Sequence, residues 1–304
     1  KPSKRPSKNC AGRAEMLSYW TVKLLSHFVC LLPHRVAMMI GAGLARLLWP
    51  FIPARRKRLA QRQVERCLRV SPAEAAHIAR ESTLRFGPML MEVLRFPVLR
   101  RHIEDYVTIT GALDTMRAAL VQGKGAIIAT SHSGNWELMG GALASAGLPI
   151  VGVAKRQSAA GMDRFINEYR TLVGIHVTYR SSVREMFRMI DQGWIIGLLS
   201  DQDPSRRDGV VVDFFEQKTN AFTGAAAIAR RCEVPIFPVF MHRRADGHHE
   251  LTIEEPLYVE KTDDRAADVL RVTQEVSAHI EVWIRRYPSE WFWLHDRWKS
   301  MRNR

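Results

Sequence analysis

Several things are scarce in this chain. There are four cysteines in 304 residues, Cys10, Cys30, Cys67 and Cys232, with no CxxC and no short spacing. That excludes a disulfide framework and a zinc ribbon, and it points to a reducing compartment. Long clean apolar runs are missing too. Residues 16–32 are interrupted by Lys23 and His27, and residues 36–52 by Arg46. Neither run reaches about 20 apolar residues, so neither qualifies as a membrane span, and Arg46 with no A-x-A site argues against a cleaved signal peptide. No GxSxG elbow is present, which removes the strained serine nucleophile of hydrolase sheets. There is no internal repeat, aromatic RNP block or zinc-finger spacing. Acidic residues are scarce at one end: residues 1–70 hold 15 Lys/Arg but only Glu15 and Glu65.

What is present starts from that asymmetry. The formal charge is +14, of which +13 lies in residues 1–70, so a nearly neutral body carries a cationic N-terminal arm. Such an arm suits an anionic surface, either membrane or nucleic acid. Hydrophobic residues at 46% and charged residues at 25% are globular values and exclude collagen-like and wholly disordered classes. At roughly 150 residues per domain, the length allows one large domain or two small ones. The chain opens on Lys1 rather than Met, and a trimmed N-terminus is expected. Residues 1–15 are expected to form a disordered basic tail. Residues 16–53 are expected to form two apolar helices lying in one membrane leaflet, with Trp20 and Trp49 as interface anchors. The run Arg55-Arg56-Lys57-Arg58 directly behind them suits the cytoplasmic side of a membrane. Residues 54–304 are then the main domain.

In that body, Ser71-Pro72-Ala73-Glu74 predicts a helix start with a capping box. From residue 106 the pattern alternates. Residues 107–110, 125–130, 149–154, 175–179, 194–199, 234–241 and 250–254 read as strands. Residues 112–122, 136–146, 162–173, 182–192, 222–232 and 264–286 read as helices. Alternation of this kind predicts an α/β fold with a mostly parallel central sheet flanked by helices, and sites in such sheets lie outside the carboxyl ends of the strands.

One strand-to-helix loop carries chemistry: Ser131-His132-Ser133-Gly134-Asn135-Trp136-Glu137. Gly134 permits a tight turn and Asn135 can cap the next helix. His132 and Glu137 would be about 140° apart on a continuous helix, so they meet only if His132 is in the loop and Glu137 in the first turn. The Glu137 carboxylate is then expected to accept one imidazole N–H and raise the basicity of the other nitrogen. Such a pair, without a nucleophile beside it, suits deprotonation of a substrate hydroxyl. Lys155 and Arg156 follow the next strand on the same sheet edge, with Arg156 the expected partner of a phosphate or oxyanion. Asp201 and Asp203 also end a strand; they are read as binding backbone N–H groups, with Asp203 also facing substrate, and two acids alone do not make a metal site. Arg206 and Arg207 in that loop suit acidic groups. Asn135 is counted with the substrate-binding set. His248 and His249 sit in an expected hairpin turn and are read as exposed, and Cys232 as core. Trp283, Trp291, Trp293 and Trp298 suit either a membrane-interface belt or core packing.

SHSGNWELMG at 131–140 resembles the HxxxxD/E block of glycerolipid acyltransferases, and most closely that of the late acyltransferases of lipid A synthesis. The likeness continues through Asp201-Gln202-Asp203, Gly209-Val210-Val211-Val212-Asp213-Phe214-Phe215, Thr219, Thr223-Gly224, VPIFPVF at 234–240 and PSEWFWLHDRWK at 288–299. It covers about residues 16–300. Ser205 and Glu216 stand where the family has Gly, and Asp296 where it has Arg, which bears on the 201–219 loop and the choice of chain or acceptor. The resemblance implies a glycerolipid acyltransferase-like fold and transfer of a fatty acyl chain from a thioester to a hydroxyl of a lipid A precursor. His132 would be the base and Glu137 its orienter. It implies acyl carrier protein as donor partner, with acyl-coenzyme A as the alternative co-substrate, no cofactor and no metal. It also implies the cytoplasmic face of the inner membrane. Another phospholipid or glycolipid acceptor, a thioesterase, and a basic nucleic-acid-binding protein are the competing readings. The apolar helices interleaved with the charge favour lipid over nucleic acid.

Overall fold

The computed structural model describes residues 8–205 and 208–302, with side chains from residue 15 onward. The chain opens with α1 (Lys8–Leu31), α2 (His34–Leu48) and α3 (Ala54–Leu68), followed by α4 (Pro72–Leu84), α5 (Phe86–Leu94) and α6 (Phe96–Leu99). Strand β1 (Val107–Gly111) and helix α7 (Leu113–Val121) lead into the alternating body. Its order is β2 (Ala126–Thr130), α8 (Trp136–Ser145), β3 (Ile150–Ala154), α9 (Ala160–Leu172), β4 (His176–Tyr179), α10 (Val183–Asp191) and β5 (Ile195–Leu199). A hairpin, β6 (Gly209–Phe214) and β7 (Gln217–Phe222), precedes α11 (Gly224–Cys232), β8 (Ile236–Arg243), β9 (His249–Ile253), α12 (Arg265–Arg286) and α13 (Lys299–Arg302).

Seven strands form one sheet in the order β1-β9-β8-β2-β5-β3-β4. The five from β8 to β4 run parallel; β9 is antiparallel to β8, and β1 is parallel to β9. All seven expected strands are there. The hairpin was not foreseen as strands, because its β-rich Val210–Val212 run is short and its partner QKTNAF is polar. Its two-residue turn, Phe215-Glu216, puts both residues at positive φ (53° and 58°), as tight hairpins demand of chains that twist to the right.

Strand β2 shows why the sheet is central. All five of its residues are buried. Ile127 and Ala129 join the core cluster under α3, α4, α10, α11 and α12, while Ala126 and Ile128 join the cluster under α1, α2, α5, α8 and α9. A period of two with both faces covered is what a sandwiched parallel strand requires. The N-cap half of the expected capping box is there: Ser71 Oγ accepts the Glu74 N–H at 3.2 Å, with Pro72 in the first turn.

The four C-terminal tryptophans settle as core, each no more than 3% exposed. His249 corrects an expectation. The 244–248 turn exists and His248 is exposed, but the inward phase of β9 takes His249 into the interior at 1% exposure, where Nε2 meets Glu92 at 2.9 Å.

The N-terminal helices pack on the body and still expose an apolar face. Helix α1 starts at Lys8, eight residues earlier than expected, and residues 1–7 lie outside the described residues. Tyr19 and Lys23 of α1 both hydrogen-bond Glu168 of α9, at 2.5 Å each. Helix α2 crosses α5 at Gly41 and Gly87, so closely that a Cβ on Gly87 would stand 2.1 Å from the Gly41 carbonyl oxygen. Outward, Leu17, Trp20, Leu24, Phe28 and Leu31 repeat at helical spacing on α1, and Ile40, Leu44, Leu47 and Phe51 continue the pattern over α2 and its following turn; all are exposed. No single helix among the described residues is long and apolar enough to cross a membrane. The segment 34–51 and α3 together have the length and composition, but they bend by 105°.

Candidate active site

The site forms where β2 and β5 end side by side. Their register pairs Thr130 with Leu199, so the second residue past each strand end, His132 and Asp201, emerges at the same level. Asp201 Oδ2 accepts the His132 backbone N–H at 2.8 Å and Oδ1 meets Nδ1 at 2.7 Å, while the indole of Trp291 donates to Oδ2 at 2.7 Å. An acceptor on Nδ1 assigns the proton to that nitrogen and leaves Nε2 with its lone pair. Gln202 Nε2 lies 3.4 Å from it. The ring of Trp136 stands edge-on to the imidazole, centroids 5.0 Å apart.

Charge follows geometry. Burial alone would lower the His132 pKa, but the charge and hydrogen bond of Asp201 outweigh it and the value is raised. Asp201 is fully buried, which would raise a carboxyl; the imidazole and the N–H donors reverse this and hold it at about 2. The loop itself is held from behind. The Arg85 guanidinium donates to the carbonyls of Gly134 (2.6 Å) and His132 (2.9 Å), and burial lowers its pKa to about 10. Gly134 sits at φ +58°, where a Cβ would meet the Met241 carbonyl oxygen at 2.1 Å, so only glycine fits.

The expected contact between Glu137 and His132 is corrected. Glu137, in the first turn of α8, faces α9 and takes two hydrogen bonds from the Arg170 guanidinium, at 2.6 and 2.8 Å. It also accepts the Trp136 indole N–H at 3.2 Å, so it braces the ring that stands beside His132. A guanidinium that offers a paired fork is the stronger partner for a buried carboxylate, and Asp201 already occupies Nδ1. Asn135, expected to bind substrate, caps α8 by accepting the Leu138 N–H at 3.1 Å; it is buried and its amide donates to Glu92 at 2.8 Å, so both ends of the side chain are engaged within the protein. Asp203 accepts the Ser300 backbone N–H and hydroxyl, both at 2.7 Å, as the backbone-binding reading of this loop implies. Lys155 and Arg156 do leave β3 on the same sheet edge, but β5 stands between β3 and β2, and Arg156 lies over the Tyr179 ring at 4.6 Å. Arg206 and Arg207 lie outside the described residues.

Two features bear on chemistry. Ser131 and Ser133 flank the histidine, but their hydroxyls bond each other at 2.8 Å, and no serine or cysteine is hydrogen-bonded to the imidazole among the described residues. Beside Trp136 and Glu137 lies a narrow apolar cavity of about 80 Å³, lined by Met139, Leu143, Ile150 and Ile175 and widened by Gly140, Gly152 and Gly197. No group of three or more His, Cys, Asp or Glu among the described residues has a metal-binding arrangement. The pairing of Asp201 with His132 is not legible in the sequence, because only the strand order makes β2 and β5 neighbours; the available signal is that both residues stand two positions beyond an apolar strand.

Comparison with known proteins identifies the family. Residues 8–300 match the family described as bacterial lipid A biosynthesis acyltransferase. The chain is 29% identical to a phosphatidylinositol mannoside acyltransferase of Mycolicibacterium smegmatis over 191 residues, 61% of this chain and 60% of that protein. It is 26% identical to the protein of the same description from Mycobacterium tuberculosis over 78% of this chain and 76% of that one. It is 23% identical to the lipid A biosynthesis palmitoleoyltransferase of Escherichia coli over 88% of this chain and 87% of that one. With the match running over nearly its whole length, the chain belongs to the bacterial lipid A biosynthesis acyltransferase family.

Proposed function

We propose that this protein moves a fatty acyl chain directly from an acyl thioester to a hydroxyl of an anionic membrane glycolipid, with His132 as general base. The observation that carries this is an imidazole whose Nδ1 is held by Asp201, with its Nε2 lone pair met by the Gln202 amide alone at 3.4 Å and no hydroxyl or thiol hydrogen-bonded to the ring among the described residues. Nε2 removes the acceptor hydroxyl proton as that oxygen attacks the thioester carbonyl. The tetrahedral intermediate then collapses, the C–S bond breaks, and the leaving thiolate recovers the proton from Nε2–H. A thioester is already activated, so no acyl-enzyme is needed. The apolar cavity beside Trp136 is the proposed seat of the acyl chain.

The donor is proposed to be acyl carrier protein and the acceptor a lipid A precursor, at the cytoplasmic face of the inner membrane. The exposed apolar face of α1 and α2, backed by basic residues, supports attachment to a leaflet. A phosphatidylinositol mannoside type of acceptor is the second reading, because relatives of that description align with this chain. The test is transfer of labelled acyl chain from acyl carrier protein, or from coenzyme A, by purified protein to each lipid, beside His132→Ala with folding checked by circular dichroism. Transfer that falls at least about 10²-fold in the folded variant is the expected result. Transfer that survives His132→Ala refutes the base.

A further inference from the structure

We propose that a cationic groove between α3 and the C-terminal segment holds the phosphate groups of the acceptor lipid's headgroup. The groove has a volume of about 1100 Å³. Its wall carries six cations, Arg55, Arg56, Arg62, Arg66, Lys299 and Arg302, against three acids. The acids are already engaged: Asp296 pairs with Arg302, Asp203 binds Ser300, and Glu65 accepts the Gln61 amide at 2.9 Å.

Helix spacing produces this wall. Positions 55, 59, 62 and 66 fall on one face of α3, so three arginines and Leu59 look the same way into the groove. Arg66 is fixed over the Trp298 ring at 4.7 Å and Arg56 donates to the Leu294 carbonyl at 3.3 Å. Arg55, Arg62 and Lys299 have no carboxylate partner among the described residues. By its own electrostatics this is a poor helix. Its first five residues hold four consecutive cations and no acid, against the positive end of the helix dipole, and Pro53 supplies no side-chain cap. Two of these cations have partners within the chain, Arg56 on the Leu294 carbonyl and Lys57 on the Trp49 and Pro50 carbonyls, while Arg55 has none among the described residues and is open to a ligand anion. Arginine forks match phosphate oxygens two at a time.

Position selects the source of that phosphate. The groove begins directly after the exposed Leu47, Leu48 and Phe51, the last of them 79% exposed, and α3 turns 105° away from that apolar segment. Apolar side chains seated in a leaflet would bring the arginines to the level of lipid phosphates. At its other end the groove is lined by Asp203 and His295, whose Nε2 accepts the Asp203 N–H at 3.2 Å, and Asp203 is two residues beyond the orienting Asp201. A headgroup gripped here would lie beside the loop that carries Asp201, the partner of His132. This deepens the acyltransferase reading and rests on it.

The test uses the full chain in detergent and two kinds of measurement, one of which needs no turnover. Binding is measured to inorganic pyrophosphate and to phosphatidylcholine vesicles doped with phosphatidic acid or, at matched charge, with oleic acid. The wild type is expected to prefer the phosphatidic acid vesicles, with pyrophosphate competing. In Arg55→Gln/Arg62→Gln both affinities are expected to fall at least about 10-fold, with Arg55→Lys/Arg62→Lys in between because charge remains and the fork is lost. In turnover, the KM for a phosphorylated acceptor is expected to rise similarly in the Gln variant, and the difference to shrink for the dephosphorylated acceptor. The proposal is overturned if the variant keeps the phosphate preference. It is also overturned if pyrophosphate binds and phosphate vesicles gain nothing over carboxylate ones, or if only the donor KM moves. A phosphate preference in the wild type that is lost in the Gln variant, with no acyl transfer by the wild type to any acceptor, would uphold the groove and refute the acyltransferase reading alone.

Discussion

Replacing Asp201 with Asn separates the two carboxylates that the sequence offers to His132. Asp201 is an acceptor for three N–H groups: the backbone and Nδ1 of His132 and the indole of Trp291, all at 2.7–2.8 Å. An amide cannot accept all three, and its NH₂ turned toward Nδ1 would force the imidazole proton onto Nε2, where the base is needed. A wrong tautomer of this kind costs up to about 10⁴-fold in kcat in a well-studied serine protease triad, so a loss of about 10²–10⁴-fold is expected here. The pH profile gives the sharper readout. In the wild type kcat/KM is expected to rise with pH as His132 loses its proton, with a midpoint above the ordinary histidine value because Asp201 overcomes burial. In Asp201→Asn burial is unopposed, so the midpoint should drop. Stability carries the same signature. The raised His132 pKa contributes stability that is fully present below about 6.5 and lost as pH rises through the folded value. The depressed Asp201 pKa contributes stability that is present above about 3.9 and lost as pH falls toward about 2. The variant should therefore lose stability most between those limits, measured by thermal unfolding across pH. A larger activity loss and a downward pKa shift in Glu137→Gln, with Asp201→Asn near wild type, would refute the assignment.

Three other substitutions test the packing around the site. Gly87→Ala drives a methyl into the Gly41 carbonyl, so the α2–α5 crossing should open and cost about 1–3 kcal/mol in denaturant unfolding. Glu216→Asn replaces a residue held at φ 58° by one that tolerates it; the exposed pair with Arg69 is worth little, so a gain of about 0.5–1 kcal/mol is expected by the same assay. Gly197→Val should enter the apolar cavity, since the nearest atom to its Cβ is 3.5 Å away. It is expected to lower kcat/KM for long acyl chains more than for short ones, and an equal effect on all chain lengths would remove that cavity from acyl binding.

Much of this protein is written in local pattern. Apolar runs of four to eight residues between helical segments determine the strands, since a strand covered on both faces needs no polar alternation. Gly134 and Asn135 announce a tight turn and a cap, and Ser71 to Glu74 announces a helix start; each follows from chemistry within a few residues. The basic stretch 55–58 is legible as a charge excess for the same reason. Strand order, by contrast, is a property of the whole sheet. It alone sets β2 beside β5, which brings Asp201 to His132 across 69 residues of chain, and it directs Glu137 to Arg170 on α9 instead. The buried phase of β9 could not be told from the turn before it, so His249 read as exposed. Trp291 is equally fit by composition for an interface belt and for a core; only packing under the C-terminal turn commits its indole to Asp201. Residues close in sequence fix elements because backbone bonds and side-chain period are local, whereas a charge network is decided by which distant elements share a face.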